Sequence, residues 1–366
     1  MKIYIKNELD NNVFINLINK ERTLVSSFLI VSDELEIDNS EIEYCSFSFG
    51  DINSELIRLS NNIEGLRIYY NKNIKHIDVD LFRINEKYGS VETYILKDEK
   101  NLFFREVKEK NIHVLLPYDY SKNKKYGLLL MLDGQNIFDI NKVGKYTTKN
   151  DPYGGWQIET SINNEYIVVG IENADKYRET ELTPSTREVI FKDILYSIDE
   201  KGLLEGELDS FRRFINETLF PFILDKYNID ESNIGICGSS CGGLASFYLG
   251  LKDINKYKFI FSFTPATGFI KDESLNKIYE KIDFDKNQNL LPYLFYYQGN
   301  KGDLEKLLFE VNKDLIGNLI LNGYTEDLIE QYIEESAEHN EIMWRYGFNY
   351  AFSKYLEFKE KKYGSK

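Results

Sequence analysis

A chain of 366 residues with 42% hydrophobic and 14% aromatic side chains can bury one large core and a smaller one, which excludes a disordered protein. Its 45 Lys and Arg against 60 Asp and Glu leave a net charge of −15, which disfavours nucleic acid or an anionic membrane as partner. Cys45, Cys237 and Cys241 make no disulfide framework, and His76, His113 and His339 offer no paired metal-ligand motif. No apolar run reaches membrane-span length, and the amino-terminal residues lack a signal-like apolar stretch. The expectation is a soluble, reduced, cytoplasmic protein that engages neither nucleic acid nor membrane.

Residues 1–88 hold short alternating segments (Val13–Ile18, Leu24–Val31, Ile42–Phe49, Gly65–Tyr70) between Asn, Asp, Ser and Gly turns. That spacing predicts a small all-β module, a sandwich, with a soft boundary near Tyr88-Gly89-Ser90. It carries no chemical motif, so its expected role is to shape the entrance to a site elsewhere or to mediate self-association, and deleting it should leave reaction with a very small substrate largely intact, if the remainder still folds. From residue 89 to 366 a second domain is expected. Val91–Leu96, Phe103–Val107 and Ile112–Pro117 read as antiparallel strands entering a sheet. Gly127–Leu132 and Tyr166–Ile171 are continuous apolar runs, as central strands buried on both faces require. Leu208–Tyr227 places Phe211, Phe214, Ile215, Leu219, Phe222 and Ile223 at helical spacing, with Pro221 a kink or an early turn.

Next comes Ile234–Gly243, I-G-I-C-G-S-S-C-G-G, a short buried strand running into G-x-S-x-G. In this strand–turn–helix elbow the nucleophile, here Ser240, needs small residues two before and two after it, and Gly238 and Gly242 supply them. Centring the turn on Cys241 would put Ser239 and Gly243 there, a poorer fit; Cys241 is better placed to lend its N–H to an oxyanion. Phe259–Phe263 and Pro292–Tyr297 are further strands, Leu304–Leu321 a helix, Leu328–Ile333 a strand, and Glu341–Glu360 a closing helix. Strands alternating with helices imply a mostly parallel sheet, an α/β fold.

A serine hydroxyl needs a base, and the base an orienting acid. In α/β-hydrolases the order is Ser, Asp or Glu, His, and only His339 follows Ser240. His113, in a strand-like run, and His76, in the first module, read as structural. The acid should follow the Pro292–Tyr297 strand; Asp303 is the first candidate, although that position also suits a helix N-cap, and Glu305, expected to face solvent, is the second. Met131-Leu132-Asp133-Gly134-Gln135 follows an earlier central strand, so the Gln135 N–H is a candidate second oxyanion donor and Asp133 a turn residue.

Together these segments resemble a known family. Leu130–Asp139 (L-M-L-D-G-Q-N-I-F-D) is similar to the LDGQNLFD segment of the putative esterase family, which includes enterochelin esterases, carbohydrate-linked feruloyl and acetyl esterases, and esterase D. The resemblance continues through Ile167–Asn173, Thr183-Pro184, the elbow, Ser262–Pro265 and Ala337–Trp344 (A-E-H-N-E-I-M-W), roughly Val91 to Leu356. The chain departs from the family's turn for the acid, since Gly302 intervenes before Asp303. The expected protein is thus an α/β-hydrolase behind an all-β module: a serine carboxylic-ester hydrolase working through an acyl-enzyme, without metal or organic cofactor. Its substrate would be a small acylated sugar or siderophore-type ester. The alternatives are an acyltransferase, to which the family resemblance also extends, and a binding protein on a retired scaffold.

Overall fold

The computed structural model describes residues 2–9, 12–37, 41–60, 63–71, 75–83, 87–100, 107–139, 155–184, 206–269, 282, 284 and 286–364. The chain divides into two compact units, Met1–Tyr88 with Thr148–Asn163 and Asn340–Lys366, and Gly89–Thr147 with Asn164–His339.

The first unit carries strands β1 (Lys2–Asn7), β2 (Phe14–Asn19), β3 (Leu24–Leu29), β4 (Glu34–Glu36), β5 (Ile42–Phe49), β6 (Ile52–Asn53), β7 (Ile57–Arg58), β8 (Gly65–Asn71) and β9 (His76–Phe82). They form two sheets, β4-β1-β8-β9 and β3-β2-β5-β6, with β7 also paired to β5. Alternation buries one face, as Ile3 and Ile5, or Ile15 and Leu17, are buried. All pairs are antiparallel except β1 with β8.

The same unit also takes two later segments that the sequence places in the second domain. Arg345, fully buried in the final helix Glu341–Tyr363, explains why. Its Nη1 donates to Asp80 Oδ1 at 2.7 Å, and its Nε and Nη2 donate to the Gly155 carbonyl at 3.1 and 2.8 Å. Gln157 Nε2 donates to the same Asp80 oxygen at 2.7 Å. Burial opposes the guanidinium charge, but Asp80 and Asp78 outweigh it and hold Arg345 protonated. Trp156 packs on Trp344, ring centroids 5.8 Å apart. Trp344, Phe348, Phe352 and Tyr355 are buried, as their spacing predicts.

The second unit is built on one mixed sheet. After β10 (Ser90–Lys97) and β11 (Glu109–Leu116) come β12 (Tyr126–Leu132), β13 (Tyr166–Ile171), β14 (Ile229–Ser239), β15 (Phe259–Phe263), β16 (Tyr293–Gly299) and β17 (Ile329–Glu334), in the order β10-β11-β13-β12-β14-β15-β16-β17. The contacts β10–β11 and β11–β13 are antiparallel, and every pair from β13 to β17 is parallel. This is the mostly parallel α/β sheet the apolar runs predict. The part of the expected Phe103–Val107 strand at 103–106 lies outside the described residues.

Two helical readings change. Leu208–Tyr227 divides into Leu208–Phe214, a wider π turn at Ile215–Leu219, and Phe220–Lys226. Pro221 lacks an N–H for the Glu217 carbonyl; Lys100 Nζ donates to that oxygen instead, at 2.5 Å. Leu304–Leu321 is two helices, Asp303–Asn312 and Leu315–Leu321.

Candidate active site

Because β12, β14, β15, β16 and β17 run parallel, the residues following them emerge at one edge, where open α/β sheets bind ligands. Ser240 follows β14 and precedes the helix Cys241–Lys252. Its backbone stands at φ 57°, ψ −122°, a strained conformation for a residue with a Cβ. Backbone hydrogen bonds hold it there: Ser240 N–H to the Phe263 carbonyl (2.9 Å), and Ala266 N–H to the Ser240 carbonyl (3.0 Å). The glycines are required by contact, since a Cβ on Gly238 would lie 2.4 Å from the Gly242 carbonyl oxygen. Ser240 is half-buried, whereas Cys241 is buried and its thiol is pushed up to about 11, by burial first, with Arg178 pulling it back. A thiol so poorly ionised at neutral pH is a poor nucleophile.

His339 follows β17 in a turn held by the Lys301 N–H on the Ala337 carbonyl, 2.9 Å. Its Nδ1 stands 3.0 Å from Glu305 Oε1. The structure therefore pairs the histidine with Glu305 and not with Asp303. Gly302, at φ 83°, starts the helix one residue earlier than the sequence suggests, making Asp303 its exposed first residue. Asp303 is not the N-cap either; Gly302 is. Glu305 opens the buried stripe Glu305, Leu308 and Asn312, and is itself fully buried rather than solvent-facing. Gln298 Nε2 donates to its second oxygen at 2.9 Å. Gly299 leaves the room, since a Cβ there would lie 2.9 Å from the Glu305 carboxyl carbon.

Across the elbow, Asp133 follows β12 at φ 57° and Gly134–Asn136 forms one 3-10 turn. Asp133 is buried, and Arg178 grips both its oxygens, Nε to Oδ1 at 2.6 Å and Nη2 to Oδ2 at 2.8 Å. Asn173 Nδ2 adds a bond to Oδ1 at 2.6 Å. Burial raises the carboxyl, but the guanidinium outweighs it and holds Asp133 below the ordinary carboxylate range. Asp133 is thus more than a turn residue: a Cβ on Gly242 would come within 2.9 Å of its Oδ2, so its carboxylate lies against the start of the elbow helix. Gln135 is half-buried in this loop and its side-chain oxygen accepts from the Asn173 N–H at 3.3 Å. Arg178 escaped the sequence reading. The signal available was a cation within one short segment of Asn173, which belongs to a recognised stretch.

His113 is structural, with Nε2 2.8 Å from Glu172 Oε1 and Nδ1 2.9 Å from the Thr93 hydroxyl. Among the described residues no group of His, Cys, Asp and Glu could hold a metal ion. No described helix is long and apolar enough to cross a membrane.

Residues 107–288, which include the Asp133 loop and the Ser240 elbow, match the family model described as "Putative esterase". Over that stretch the chain is similar to the family. The match ends before Glu305 and His339, whose pairing rests on the geometry above. Among solved structures, the chain is similar to the BES protein from Bacillus cereus (17% identity, TM-score 0.52, covering 72% of this chain and 94% of that one). It is also similar to the siderophore hydrolase EstA from Aspergillus nidulans (14%, 0.52, 73% and 95%) and to an IroE-like serine hydrolase from Shewanella oneidensis (17%, 0.53, 73% and 80%). At these identities the likeness establishes the shared α/β fold. The family match supports ester hydrolysis as the class of activity.

Proposed function

We propose that this esterase is a serine carboxylic-ester hydrolase acting through an acyl-enzyme, with Ser240 as nucleophile, His339 as base and Glu305 as the acid that orients it. The observation that carries this reading is the buried carboxylate–imidazole pair at 3.0 Å, on the same sheet edge as a serine held in a strained elbow. His339 Nε2 takes the hydroxyl proton as Oγ attacks the ester carbonyl, and the Cys241 and Gln135 N–H groups stabilise the oxyanion. Collapse expels the alcohol, which leaves with the proton from the imidazolium. Water, deprotonated by His339, then releases the acid and restores Ser240.

The proposed substrate is a small siderophore-type or acylated-sugar ester. A siderophore hydrolase among the fold relatives supports the first. The test is a panel of acetyl, feruloyl and siderophore-type esters, with fluorophosphonate labelling of wild type and Ser240→Ala. Labelling should sit on Ser240, and the variant should lose it along with nearly all turnover, several orders of magnitude. Labelling that survives in Ser240→Ala, or moves to Cys241, overturns the assignment.

A further inference from the structure

Beneath Glu305 lies a set of buried amides whose polarity is dictated by the backbone. The Pro265 carbonyl can only accept, and Asn312 Nδ2 donates to it at 2.8 Å. The same nitrogen donates to Gln298 Oε1 at 2.8 Å, and Asn312 Oδ1 accepts from the Thr267 hydroxyl. Gln298 Oε1 also accepts from the Tyr296 hydroxyl at 3.1 Å. The Gln298 nitrogen is thereby turned to two acceptors, the Gly299 carbonyl at 3.0 Å and Glu305 Oε2 at 2.9 Å. Gln298 is 1% exposed and Asn312 2%, so a flipped amide would set oxygen against oxygen out of reach of solvent.

The turn at the head of this series is the one that clasps the nucleophile. Phe263 accepts from the Ser240 N–H, and Ala266 donates to the Ser240 carbonyl. Between them Thr264 sits at φ 39°, costly for a β-branched residue, with its N–H on the Tyr297 carbonyl at 2.7 Å. The elbow and the acid are thus joined by one directional hydrogen-bond series: Ser240 backbone, turn 263–267, Asn312, Gln298, Glu305.

We propose that Gln298 and Asn312 are positioning residues that fix which oxygen of Glu305 is free for His339. With Oε2 always occupied by the Gln298 N–H, Oε1 alone accepts from His339 Nδ1–H. The imidazole is then held in the tautomer whose Nε2 is the open base. This rests on Ser240 and His339 acting as nucleophile and base.

The test uses the full chain labelled with 15N-histidine, in which three histidines are readily assigned, His339 by its loss in His339→Gln. In wild type above the histidine titration, His339 should be the Nδ1–H tautomer; an Nε2–H form or an even mixture overturns the proposal. Folded Gln298→Met should lose the preference and lower kcat by about tenfold to a hundredfold, with KM changed only a few-fold. A wild-type tautomer ratio with kcat within about twofold of wild type overturns it. Asn312→Asp, isosteric but unable to donate to Pro265, should give the same loss and serves if Gln298→Met does not fold. Absence of ester turnover in wild type would instead sink the proposed activity, while the tautomer ratio still judges the hydrogen-bond series.

Discussion

Asp303 and Glu305 are two residues apart, and about 200° of helix separates their side chains. That rotation decides which carboxylate meets His339. Glu305 shares a face with Leu308 and Asn312 at spacings of three and seven, whereas Asp303 stands in solvent at the positive end of the helix. Glu305→Gln should therefore lower kcat by at least about a hundredfold, because the imidazole loses its orienting partner, and Asp303→Asn should stay within a few-fold. Steady-state kinetics on folded variants with one ester at saturation checks this; the reverse pattern would return the acid to Asp303. The placement of Ser240 in a tight elbow and of His339 just beyond β17 was legible in the sequence, because a five-residue motif and a fixed chain order constrain them. The carboxylate that meets His339 was not, because counting residues from the strand end ignores the helix face. The stripe Glu305-x-x-Leu308-x-x-x-Asn312 was there to be read.

At the scale of elements, the parallel strands could be placed from sequence because strands buried on both faces are continuous apolar runs, β12 and β13 among them. What escaped were the ties between elements that no periodicity encodes. Arg178, in the short helix Arg178–Leu182, is bound to Asp133 after β12 and fixes the loop that carries Gln135. Removing the guanidinium strands a buried carboxylate, so Arg178→Met should cost about 3 kcal/mol at neutral pH. The pH dependence follows from the depressed Asp133 carboxyl. The stabilisation is complete above the unfolded-state value, about pH 4, and is lost as pH falls through the lower folded-state value. Urea midpoints from pH 7 to pH 2 should fall less steeply below about pH 4 in Arg178→Met than in wild type. Parallel curves would show that the pair contributes nothing to acid unfolding.

At the scale of the whole molecule, the boundary at residue 88 was visible as a change of pattern, but the return of residues 340–366 to the first unit was not. A single buried Arg in an aromatic helix does not announce a partner some 265 positions earlier. The consequence bears on the condition under which residues 1–88 were expected to be dispensable, a remainder that folds without them. Without them Arg345 keeps the Gly155 carbonyl but loses Asp80 and Asp78, and removing one side of a buried ion pair costs about 3–5 kcal/mol. Tyr346, whose hydroxyl donates to the Val79 carbonyl at 2.7 Å, is orphaned as well. The fragment 89–366 should be insoluble or lack a cooperative thermal transition by circular dichroism; a cooperatively melting fragment would refute this. The same ion pair also sets an order of events during translation. Asp78 and Asp80 leave the ribosome first, and the guanidinium that neutralises them follows some 265 codons later, at common elongation rates roughly 15–50 s. The sheets of the first unit must spend that interval unfinished, so the unit begun before the other is closed by a helix made after it.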